Sequence, residues 1–118
     1  MYTMAYDALR ADKLSSVLGN YAVMLRRMVR DGRVDNETTT RCDIAELVWL
    51  AANTRSLGDA PTLGTVLVAL AFSDVPAERV DAAPGETCLA VGHGARTKLV
   101  FGSAGHLVHI EHTLAPRI

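Results

Sequence analysis

Leu63 to Phe72, LGTVLVALAF, is the only stretch of this 118-residue chain that is apolar on every side. A helix or strand with no polar face must be covered all round, so the neighbouring segments are expected to fold onto it as the core. Pro61 suits the first turn of a helix there, with Asp59 or Ala60 before it. β-Branched Thr65, Val66 and Val68 keep a buried strand as the competing reading, because periodicity does not type a short apolar run.

Upstream, apolar residues recur in steps of three and four: Met4, then Ala11, Leu14, Leu18, Tyr21, Leu25 and Met28. This spacing predicts a helix from Met4, its stripe widened by Val17, Ala22 and Val29 and its opposite face carrying Lys13, Arg26, Arg27 and Arg30. Gly19-Asn20 is the place for a kink, and Asp31-Gly32 supplies a left-handed cap that ends the helix. DNETTT, residues 35–40, reads as a surface loop before a second helix ending near Asn53. Its start is capped by Thr39, Thr40 or the Asp43-Glu46 pair. Ile44, Leu47, Val48 and Ala51 share one face of it, with Trp49 turned away. Beyond the central segment, Ser73 to Pro76 is a break, and Ala77 to Ala83 is expected to form one more short helix.

The period then changes from near 3.6 to near 2. Thr87–Gly92, Thr97–Phe101 and Leu107–His112 read as three antiparallel strands joined by His93-Gly94 and by Gly102–Gly105. The expected register sets Arg96 opposite Glu111, Lys98 opposite His109, Leu99 opposite Val108 and Thr97 opposite Ile110. It also sets Cys88 opposite Leu99. The fold class is therefore α+β: three or four helices around 63–72 with a C-terminal three-stranded meander. A single domain over residues 1–118 is expected, helical from 4 to 83 and β from 86 to 113.

Composition removes several function classes. With 49% hydrophobic and 21% charged residues the chain has the makings of a globule, and at 5% aromatics its core must be Leu, Val, Ala and Met. A net charge of −1 gives no global attraction to nucleic acid or anionic lipid. Two cysteines without a CxxC suggest neither a disulfide framework nor a zinc knuckle. MYTMAYDALR lacks the basic start and apolar run of an export signal, so a cytoplasmic location is expected. No apolar run is long enough to span a bilayer, so no membrane partner is expected. The frequent Ala, Val and Arg fit a GC-rich bacterial or phage gene.

HLVHIEH, residues 106–112, resembles a metal cluster only if helical; on a strand His106 and His112 share one side and His109 takes the other. No metal, cofactor or catalytic residue is assigned. Cys88 reads as a buried thiol, and GHGARTK matches neither phosphate-binding fingerprint. The leading expectation is a small binding or regulatory protein that is not an enzyme, homodimeric through the helix-one stripe or a free meander edge. Its interface residues would be Leu14, Leu18, Tyr21, Leu25, Met28 and Trp49, the last as an anchor. A second reading is a nucleic-acid-binding regulator using Arg26, Arg27, Arg30, Arg33, Arg96 and Lys98, although the central segment is too apolar for a recognition helix. A third is a small enzyme or ligand-binding protein with a pocket between helices and meander, using His106 and Cys88.

Overall fold

Two layers account for residues 3–7, 14–58 and 61–113, which the computed structural model describes. The elements run β1 (Thr3–Asp7), α1 (Leu14–Arg30), α2 (Glu37–Asn53), a 3-10 turn at Arg55–Leu57, α3 (Leu63–Phe72), β2 (Ala77–Val80), β3 (Thr87–Val91), β4 (Thr97–Phe101) and β5 (Leu107–Thr113). The strands form one antiparallel sheet in the order β1-β5-β4-β3-β2, so the class is α+β.

The core lies between α1, α2 and the inner face of the sheet. Leu14, Leu18, Tyr21 and Leu25 of α1 and Ile44, Leu47 and Leu50 of α2 pack with Leu89, Val91, Leu99, Phe101, Leu107 and Ile110. α1 is unbroken through Gly19 and closes as expected, with Gly32 left-handed and the Arg33 amide donating to the Met28 carbonyl at 2.8 Å.

The central segment is a helix with the expected bounds, but it is not the core. Only Val66 and Leu70 of α3 are buried. α1 and α2 already cover the sheet, and α3 is pinned at its start: the Leu63 amide donates to Gly105 and the Leu107 amide to Pro61, both at 2.9 Å. The outer face of its second half is turned to solvent, Val68 being 57% and Phe72 88% exposed.

Three segments differ from the expected pattern, two because a distant strand outweighs it and one because of a local cap. Met4 to Asp7 belongs to β1 rather than to the first helix: Thr3–Asp7 satisfies the outer edge of β5, with Met4 opposite His112 and Tyr6 opposite Ile110. Ala77–Val80 is likewise an edge strand on β3, not a short helix. Glu37–Thr40 is helical rather than loop, because Asn36 caps it by accepting from the Thr39 amide at 3.0 Å. Both edges of the meander are therefore occupied, and neither is free for a partner.

The meander has the expected strands in a different register. Lys98 faces Glu111, Leu99 faces Ile110, Thr97 faces His112, and Cys88 faces Val100. Between Val100 and Phe101 the partner jumps from His109 to Leu107, leaving Val108 as an extra residue on β5. A bulge of this kind changes the phase of alternation, which strand periodicity alone does not reveal.

Candidate functional site

Three side chains of α2 at steps of three, Asp43, Glu46 and Trp49, all reach the turn between β3 and β4. That spacing puts them on one flank of the helix. Asp43, 4% exposed, forms an ion pair with Arg96. Glu46 accepts from the Gly94 amide at 3.2 Å, and Trp49 stacks on His93 with ring centroids 5.4 Å apart. Gly92 has a positive φ of 89°, which is what asks for glycine there; a Cβ would in addition displace the end of the Glu46 side chain from the turn. The helix and the hairpin are thereby clamped together across the top of the core.

Beneath the clamp lies a buried polar cluster. Thr97 Oγ1 and His112 Nδ1 are 3.1 Å apart, and the Tyr21 ring lies 6.2 Å from that of His112 while its hydroxyl donates to the Ile110 carbonyl. Among the described residues, Asp43 Oδ2 and His112 Nε2 have no hydrogen-bond partner. Burial lowers the His112 pKa from its usual 6.5; Asp43 acts to raise it and Arg96 to lower it.

The unfolded chain therefore binds a proton at His112 more readily than the folded one. This contribution to stability is complete above pH 6.5 and is lost as pH falls toward the lowered folded value. The unfolding free energy of the wild type, from chemical denaturation, is expected to fall below that pH with a slope of up to about 1.4 kcal/mol per pH unit. The His112→Gln variant should show a flatter profile; equal profiles would mean that His112 does not titrate in this way.

The interface residues expected from the first stripe are used within the chain. Leu14, Leu18, Tyr21 and Leu25 are buried in the core, and Met28 and Trp49 pack partly against it. The sheet and α2 thus cover four of these six residues, and Met28 and Trp49 stay partly exposed. The basic residues are not brought into one patch. Arg26, Arg27, Arg30 and Arg33 are exposed on and just after α1, Arg96 is engaged with Asp43, and Lys98 faces Glu111 on the opposite side of the sheet.

The histidines are likewise dispersed. His93 is in the β3–β4 turn and His106 bridges Thr62 in the β4–β5 loop; His112 is inside the core, and His109 pairs with Glu111 at 3.0 Å. The bulge at Val108 takes His106 out of phase with His112. Among the described residues no three His, Cys, Asp or Glu side chains are placed to hold a metal. Cys88 is buried on the outer side of the sheet, where burial pushes its thiol pKa up against the opposing pull of Lys98, and a protonated thiol is a poor nucleophile. Among the described residues no helix is long and apolar enough to cross a membrane.

The chain matches no protein-family model, no curated protein and no solved structure. The clamp and the polar cluster hold α2 against the sheet, which is an architectural role. The feature that the fold leaves unexplained is α3, whose last turns present Val68, Ala71 and Phe72 around an open apolar hollow of about 310 Å³.

Proposed function

We propose that this chain is a small binding or regulatory protein that acts through protein contacts and associates with copies of itself. The observation that carries this reading is the exposure of Phe72 and Val68 on a helix without a single charged side chain. A phenylalanine that displays most of its surface gains nothing for the isolated fold, whereas covering it on association removes apolar area from water. Aromatic side chains of this kind are typical anchors of protein interfaces. The surface replaces the first helical stripe and the meander edges as the place of association. A reducing compartment such as the cytoplasm suits a chain with an exposed free Cys42 and a buried free Cys88.

The test is solution mass by light scattering across a concentration series. The wild type is expected to exceed the monomer mass increasingly with concentration. The Val68→Ser/Phe72→Ser variant should stay monomeric with an unchanged circular dichroism spectrum. A wild type that is monomeric throughout, or a variant that associates as strongly, would overturn self-association through α3.

A further inference from the structure

The self-association proposed above requires a counterpart for α3, and the same chain carries one. A groove of about 420 Å³ runs between α1 and α2, lined by Arg26, Arg41, Ile44, Ala45 and Val48. Ile44 is buried at its floor, while Arg26, Arg41, Ala45 and Val48 are exposed around it. Its chemistry is mixed: an aliphatic surface with two guanidinium groups. Arg41 reaches Glu37 at 3.5 Å with both side chains well exposed, a weak pair, and Arg26 has no ion pair among the described residues.

The end of α3 has the complementary composition. After Val68, Ala71 and Phe72 the chain turns through Asp74, whose φ is +54°. The Val75 amide donates back to the Leu70 carbonyl at 2.9 Å, so Asp74 occupies the left-handed position that normally falls to glycine at a helix end. A carboxylate there also sits at the negative end of the helix dipole, and α3 has no basic residue in its last turn to offset it. Asp74 is thus unfavourable on two counts in the isolated molecule. Unfavourable backbone and charge placements of this kind persist where a function uses them.

We propose that the last turns of α3 in one copy dock into the α1–α2 groove of another copy. Phe72 and Val68 cover Ile44, Ala45 and Val48, and Asp74 lies between Arg26 and Arg41. Pairing α3 with α3 about a two-fold axis would cover Phe72, but α3 itself offers no cation to Asp74. The groove supplies both the apolar floor and the positive charge. Donor and acceptor are different surfaces of one chain, so the contact is head-to-tail, and copies add until a ring closes or an open chain grows.

Complementation between variants tests this geometry. Phe72→Ser removes the donor and Arg26→Glu/Arg41→Glu removes the acceptor, each to be checked for an unchanged circular dichroism spectrum and denaturation midpoint. Each variant alone is expected to be monomeric at concentrations where the wild type associates, a loss in affinity of at least about 100-fold for Phe72→Ser. An equimolar mixture should form dimers and nothing larger, because one intact donor and one intact acceptor remain. Association of the Arg26→Glu/Arg41→Glu variant at wild-type strength would overturn the docking while leaving self-association through α3 standing. A mixture that stays monomeric would also overturn it, and a monomeric wild type would remove both readings. Asp74→Gly provides an independent check: it should raise the denaturation midpoint while weakening association about tenfold, the cost of losing one charge contact. Unaltered association would overturn the placement of Asp74.

Discussion

Replacing Arg96 by alanine is expected to destabilise the fold by about 3–5 kcal/mol, because it leaves the Asp43 carboxylate buried without its counter-charge. The reverse substitution should cost much less. The Arg96 side chain is 29% exposed, so in Asp43→Ala the guanidinium turns toward water and only the pair and its packing are lost, on the order of 1–2 kcal/mol. Asp43→Ala/Arg96→Ala should be no worse than Arg96→Ala alone, since the stranded charge is gone. Chemical denaturation of the three variants measures this cycle. Equal costs for the two single variants, or a double variant much worse than Arg96→Ala, would show that charge pairing is not what holds α2 to the hairpin. The same loss should loosen the β3–β4 turn, because Glu46 and Trp49 engage Gly94 and His93 from the same flank of the helix.

The two phenylalanines should behave as opposites. Phe101 is fully buried between the helices and the sheet, and Phe101→Ala is expected to cost about 3–5 kcal/mol through lost transfer free energy and the cavity left behind. Phe72→Ala, measured at a dilution where the chain is monomeric, should fall within about 0.5 kcal/mol of the wild type, as surface substitutions do. Urea midpoints decide the matter. A large cost for Phe72→Ala would mean that the end of α3 packs on its own chain, and the case for an interface there would lose its basis. Together the two substitutions separate apolar surface that holds the fold from apolar surface held for a partner.

Much of the architecture was legible in local pattern. The three meander strands, the bounds of 63–72 and the cap at Gly32 follow from periodicity and turn chemistry, which act over a few residues. The candidate site was not legible in the same way. Asp43 looked like a helix cap, because an acidic residue three positions before Glu46 has that spacing; its partner Arg96 is 53 residues away in sequence. The polar residues Asp43, Thr97 and His112 are buried beside partners distant in sequence, Asp43 against Arg96 and Thr97 against His112. A sign was present in α2, whose buried face includes Thr40 and Asp43 beside Ile44, Leu47 and Leu50, so a purely apolar stripe wrongly turns the exposed Val48 inward.

The sequence by itself determined the class of the fold, the helical character of most of α1 and α2 and the strands from Thr87 onward, since each rests on residues close together in the chain; it left 63–72 open between helix and strand. Tertiary structure decided which apolar surface is core. LGTVLVALAF is apolar all round, but how much of it is covered depends on how much of the sheet α1 and α2 have already occupied. Tertiary structure also decided the two edge strands and the bulge at Val108. The strength of a strand lies in hydrogen bonds to distant neighbours, and no local period records who those neighbours are.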